Sequence, residues 1–196
     1  LPMVGTIRRA SFQYAKYSSR YDKFKEGIIE NAFNPEFSNG ALMDIGVYCV
    51  HPLVRLFGMP KKIIADSLLL SNGVEGAGTI LASYDGMQAE LLYSKITNNR
   101  LPSQIQGEDG TLVIDNITNI CSVVFHDRKG NAETVIDLPP EHSLDGEVKD
   151  WLRMIETGEG VREDNECSLM ELRVMDEARR QAGIVFPADL RKITGC

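Results

Sequence analysis

No apolar run in the sequence approaches the roughly 20 residues that a helix needs to cross a bilayer. The N-terminal stretch LPMVGTIRRASFQY has no signal-peptide core either. Basic blocks are also missing. Lys and Arg number 21 against 28 Asp and Glu, the net charge is −7, and the signs alternate along the chain. A broad nucleic-acid surface needs clustered cations, so neither a nucleic acid nor a membrane is expected as a partner. Cysteines are few and scattered: Cys49, Cys121, Cys167 and Cys196, with no C-x-x-C pair. No histidine stands at ligand spacing to them, so no metal is expected. The thiols read as free groups of a reducing, cytoplasmic compartment. There is no G-x-S-x-G elbow, so serine hydrolase chemistry has no support.

What is present fits a globular domain with a sizeable core: 196 residues, 43% hydrophobic and 25% charged. The chain opens on Leu1 and enters strand-like sequence almost at once, and it is expected to be a piece of a longer protein. Residues 6–17 alternate apolar and polar, with Ile7, Ala10, Phe12 and Tyr14 apolar, as in a half-buried strand. Residues 18–38 carry mixed charge and an Asn34-Pro35 turn signal, and read as a long loop with at most a short helix. Further strands are expected at about 62–71, 77–84, 87–95, 102–107, 111–115, 121–127 and 132–137. Asn72-Gly73, Asp85-Gly86, Asp109-Gly110 and Lys129-Gly130 punctuate them, and such pairs favour hairpins because primed turns need positive φ. A parallel sheet would need a helix between strands, and there is no room for one.

Two helices close the chain. Val148, Trp151, Leu152 and Ile155 mark the first, which Gly158 can end. The second is expected to open at a capping box, Ser168-x-x-Glu171. Its apolar stripe would be Leu169, Leu172, Met175, Ala178 and Ala182, and Gly183 would stop it. The expected fold class is α+β: a predominantly antiparallel open sheet with helices packed on one face.

Residues 40–58, GALMDIGVYCVHPLVRLFG, read as a buried helix with polar residues set into it. On a wheel of about 100° per residue, with Asp44 at zero, Tyr48 falls near about 40°, His51 near about −20° and Arg55 near about 20°. Four polar side chains thus share one stripe. Buried polar groups without partners cost roughly 1–3 kcal/mol each. Either the four satisfy one another and nearby carbonyls, or the stripe lines a cleft and meets a polar ligand. A carboxylate and a phenol at this spacing suit proton transfer at an alcohol or carbonyl. A free tyrosine titrates at about 10, so such chemistry asks for a cation from outside this helix. His51 can contact a substrate or be a satisfied core histidine. Arg20 can meet an anionic substrate or cofactor phosphate, or stand as a solvated loop charge.

At these residues the sequence resembles the Gfo/Idh/MocA oxidoreductases. The stretch SNGALMDIGVYCVHPLVRLFG is similar to the helix that opens their C-terminal half, with Gly40, Asp44, Gly46 and Tyr48 at the matching positions. Tyrosine at 48 resembles the glucose–fructose oxidoreductase and dimeric dihydrodiol dehydrogenase branch. Asn39 departs from the family's usual glycine, and Phe33-Asn34 falls near a Trp-Arg pair of many relatives. The resemblance implies that residues 1–196 are a substrate-binding and dimerisation domain, of the glyceraldehyde-3-phosphate dehydrogenase-like C-terminal type, without the N-terminal Rossmann domain. It implies NAD or NADP as cofactor, held mainly by that other domain, and a homodimer formed through the sheet. The substrate would be a sugar, polyol or related hydroxy or carbonyl compound. Tyr48 would be proton donor or acceptor, Asp44 would position the substrate hydroxyl, and Asn34 would lie near the substrate. The glycine cluster Gly73, Gly76, Gly78 lacks the strand–turn–helix context of a dinucleotide site. A non-catalytic sugar-responsive sensor or interaction module of the same fold is the alternative.

Overall fold

The computed structural model describes residues 1–139 and 144–190. Its centre is an eight-stranded sheet in the order β2-β3-β4-β1-β5-β6-β7-β8. The strands are β1 (Ile7–Ala15), β2 (Lys62–Leu69), β3 (Glu75–Tyr84), β4 (Met87–Ser94), β5 (Ser103–Gly107), β6 (Gly110–Ile114), β7 (Ser122–Asp127) and β8 (Ala132–Asp137). Every neighbouring pair is antiparallel except β1 with β4. The β3–β4 connection is the two-residue loop Asp85-Gly86 between the paired residues Tyr84 and Met87, with Gly86 at φ 72°. That positive φ is what a tight hairpin demands and glycine gives at no steric cost.

The apolar period of β1 breaks between Ile7 and Ala10, and the register shows why. Ile7 pairs with Gly107 and Arg9 with Gln106, so β1 holds one extra residue there. A bulge re-aims the strand and shifts the parity of its faces.

Among the described residues there are five α-helices: α1 (Ser19–Lys25), α2 (Val47–Phe57), α3 (Asp145–Thr157), α4 (Val161–Ala182) and α5 (Pro187–Leu190). α2 and α4 pack on each other and on one face of the sheet, α4 over β2 and α2 over β1 and β4. The core between them includes Phe12, Leu53, Ile80 and Leu91, all fully buried. The opposite face carries Ile64, Leu68, Leu81 and Leu92, between 39% and 55% exposed.

Two expectations need correction. The segment 40–58 is not one regular helix: Leu42–Gly46 forms a π-helical turn that feeds α2. The last long helix does not open at Ser168, which lies mid-helix and exposed; Gly160, in the left-handed conformation, precedes the first turn. The face that packs on β2 and α2 is Cys167, Val174, Met175 and Ala178, leaving Leu169 and Leu172 about half exposed (53% and 49%). The loop 18–38 holds α1 and two 3-10 turns, Asn31–Phe33 and Pro35–Phe37. Among the described residues no helix is long and apolar enough to cross a membrane.

Candidate active site

The site is built where the chain enters α2. Asn34 caps the turn Pro35–Phe37, its side chain accepting from the Glu36 amide (3.0 Å), and Ser38 follows at φ 52°. The chain then passes the end of β3, where the fully buried Glu75 accepts from the Leu42 amide through Oε1 (2.9 Å). Glu75 Oε2 is buried with no hydrogen-bond donor among the described residues. Burial raises the Glu75 pKa, against the Leu42 amide, its own amide and the charges of Lys95 and Arg179, which all lower it. A Cβ on Gly40 would stand 2.2 Å from both Glu75 carboxylate oxygens. Gly40 is therefore glycine because a carboxylate occupies the space of its side chain.

Asp44 projects from the π-helical turn with its side chain 47% exposed. Its Oδ2 accepts from Lys95 Nζ at 2.7 Å, and Lys95 is only 3% exposed. The same ammonium donates to the Ala32 carbonyl (3.0 Å) and sits 5.1 Å from the centre of the Phe33 ring. A buried ammonium needs such partners to offset lost hydration. Lys95 thus ties the end of β4, the Asn31–Phe33 turn and Asp44 together.

Asp44 faces an open cleft of about 600 Å³, lined also by Arg20, Ile29, Glu30, Asn31, Ala32 and Asn39. Glu30 pairs with Arg20 (3.7 Å) and with Lys23. Each of these cations therefore already touches a carboxylate, with Glu30 shared by Arg20 and Lys23, which leaves a polar wall of paired charges. Arg20 lies in the cleft, while Asn34 is spent on capping its own turn; Asn31 and Asn39 are the amides that line the wall.

Tyr48 stands one turn beyond Asp44, 43% exposed, with its ring edge-on to Tyr14 at 5.4 Å and 77°. Among the described residues no group hydrogen-bonds its hydroxyl and no cation pairs with it. His51 and Arg55 turn instead to α4. His51 Nδ1 lies 2.6 Å from Glu171 Oε1, and Arg55 pairs with Asp164 at 3.2 Å. The polar stripe therefore divides: Asp44 opens to the cleft, Tyr48 is exposed beside Tyr14, and His51 and Arg55 bind a neighbouring helix. Cys49, on the buried side of α2, has its thiol pushed up to about 12 by burial and is no nucleophile. His126 is exposed on β7, and His142 lies outside the described residues.

Lys95 and Glu75 were missed in the sequence. Each is a single charge at the edge of an apolar strand, a pattern that reads as solvent-facing. The metal-capable donors of the described residues are His51, Cys167 and Glu171, whose ligand atoms lie within 4.8 Å of one another. The glycines Gly73, Gly76 and Gly78 lie in the β2–β3 turn and in β3 itself, so they form no dinucleotide cradle.

Known proteins agree with this architecture. The scyllo-inositol 2-dehydrogenase (NADP(+)) IolU of Bacillus subtilis is 47% identical over 191 residues, 96% of this chain and 58% of the relative. The uncharacterized oxidoreductase YgjR of Escherichia coli is 35% identical over 193 residues, 98% of this chain and 59% of that one. The chain thus spans less than two thirds of the length of either. Among solved structures, a 3-ketoreductase from Actinomadura kijaniata in complex with NADP and TDP-benzene superposes with a TM-score of 0.76. The likeness covers 92% of this chain and 55% of that one at 20% identity, and shows the shared fold. Residues 3–113 match the family described as the GFO/IDH/MocA C-terminal domain, and the chain belongs to that family.

Proposed function

We propose that this chain is the substrate-binding part of an NAD(P)-dependent oxidoreductase that acts on a polyol or sugar. The observation that carries the reading is the pairing of an anchored carboxylate with an unengaged phenol. Asp44 is held by Lys95 at 2.7 Å on the rim of a polar cleft, and Tyr48 stands exposed one turn later. A wall whose charges are already paired suits a neutral, polyhydroxylated substrate, whose hydroxyls find acceptors in Glu30, Asn31 and Asn39. The similarity to a scyllo-inositol 2-dehydrogenase that uses NADP(+) supports both the substrate class and the cofactor.

In this reading Asp44 accepts a hydrogen bond from a substrate hydroxyl and fixes its direction. Tyr48 Oη takes the proton of the hydroxyl being oxidised, or returns it in reduction, as a general base or acid. A nicotinamide cofactor, when bound, would supply the hydride chemistry at the same carbon. The rest of the protein supplies the dinucleotide site and the positive charge that an ionised phenol requires.

The test is turnover of the full-length protein with scyllo-inositol and NADP+. Tyr48→Phe is expected to lower kcat by at least about a hundredfold with little change in KM, the range of general acid–base loss. A variant that keeps near-normal turnover would exclude Tyr48 from proton transfer. The bare face of the sheet is the proposed dimer surface, since Ile64, Leu68, Leu81 and Leu92 form an uncovered apolar strip on adjacent strands. Light scattering is expected to give a dimer, and Leu81→Glu a monomer.

A further inference from the structure

We infer that the α2–α4 seam is a binding site for a zinc-class divalent cation, with His51, Cys167 and Glu171 as its protein ligands. Three different donors converge there from two helices. Cys167 and Glu171 stand at i and i+4 on α4, hence on one face, and His51 reaches across from α2. Glu171 Oε1 lies 2.6 Å from His51 Nδ1 and 3.5 Å from Cys167 Sγ, and all three ligand atoms fall within 4.8 Å of one another. A tetrahedral zinc with bonds of about 2.0–2.3 Å spaces its ligand atoms roughly 3–4 Å apart. Side-chain adjustment alone brings the three donors to that spacing, one pair opening from 2.6 Å.

The donor chemistry selects the ion. One thiolate, one imidazole and one carboxylate make a mixed soft–hard set that suits Zn2+ or Co2+ and not Mg2+ or Ca2+, which take oxygen ligands. Binding converts the Cys167 thiol to a thiolate and releases one proton to solvent. His51 binds through Nδ1 and keeps its ring proton on Nε2. Thiolate and carboxylate together neutralise the ion's two charges. Burial fits the same picture: Cys167 is 2% exposed, the Glu171 side chain 12%, and the His51 side chain 57%. The two anionic ligands form the floor and the imidazole the rim, which leaves a fourth position for water. The flanking charges, Arg55 and Asp164, neutralise each other at 3.2 Å. The bound ion would clamp α2 to α4 one turn beyond Tyr48. It plays no part in the proton transfer proposed above and stands or falls separately from it.

The experiment is Co2+ titration of the chelator-stripped full-length protein, followed by Zn2+ competition against a chromophoric chelator. The expected result is a thiolate-to-cobalt charge-transfer band with the visible bands of a tetrahedral site, both bleached by Zn2+. Cys167→Ser should abolish the charge-transfer band. His51→Ala should weaken Zn2+ affinity at least about tenfold, the lower end of what losing even a supporting group of a metal site costs. Because His51 is exposed, that variant folds and decides the matter even where Cys167→Ser does not. Absence of the charge-transfer band at excess Co2+ overturns the assignment. So does a band and a Zn2+ affinity that His51→Ala leaves unchanged, since the ion would then sit on another thiol.

Discussion

α2 and α3 carry the same kind of apolar stripe and meet opposite fates. Cys49, Val50, Leu53 and Val54 of α2 are 0–1% exposed, whereas Val148, Trp151, Leu152 and Ile155 of α3 are 49–64% exposed. α2 has β1 and β4 beneath it and α4 beside it. α3 buries none of its residues, and no side chain caps its first turn. Periodicity reports that a face wants cover, and only the rest of the structure decides what covers it. The stripe of α3 thus marks a surface that the described residues do not fill.

Substitutions can break or sharpen the contrast. The largest effect belongs to the covered helix: Leu53→Ala should cost about 2–5 kcal/mol in a denaturant titration, the range for a fully buried leucine. A loss below about 1 kcal/mol would make α2 as peripheral as α3. Next comes the anchoring of α2. Gly40→Ala drives a methyl against the Glu75 carboxylate and should cost roughly 1–3 kcal/mol as overpacking. Glu75→Ala made in addition should relieve the clash, so that the two changes are non-additive.

Glu75 also gives the anchor a pH signature. Burial holds its folded pKa above the ordinary carboxylate value of 4.5. The native state therefore holds a proton that the unfolded chain gives up first, and stability from this group is full below pH 4.5 and falls as pH rises past it. Glu75→Gln removes that slope, so thermal melts should show the variant gaining on the wild type with rising pH. A constant difference across that window would mean the carboxylate is not desolvated. The smallest effect belongs to the bare helix. Trp151→Ser should change the stability of this chain by no more than about 0.5 kcal/mol, as at an ordinary surface position. In the full-length protein the same change should cost more, by whatever area the remaining chain buries there.

The hairpins were legible because their turns are written in neighbouring residues. Asp85-Gly86 needs no distant partner to form its turn, and the strands on either side begin and end close to where the alternation says. The place of β1 was not legible, because pairing between strands nearly eighty residues apart leaves no local mark. The start of α4 was missed for a different reason. Its first two turns are charged, so the apolar period becomes visible only near Cys167. Ser168-x-x-Glu171 then imitates a cap, while Glu171 is in fact turned to His51. In the candidate site, spacing alone put Asp44, Tyr48, His51 and Arg55 on one stripe, and only the family resemblance singled out Asp44 and Tyr48. The wheel placed His51 and Arg55 with them because it assumed a regular helix and no neighbour. The π-helical turn at Leu42–Gly46 and the charged face of α4 supply the two missing facts.

The position of β1 also bears on how the chain assembles. It is the only strand that joins β2–β4 to β5–β8, pairing Arg9 with Gln88 on one side and Ser11 with Gln104 on the other. Both partners lie far downstream of β1 in the sequence, so β1 must wait for two remote strands. Such pairing gives a high contact order and slow folding. Until the partners arrive, both edges of β1 are open to wrong strands. The bulge and the charged pair Arg8 and Arg9, at the start of that strand, lie where a waiting edge most needs protection.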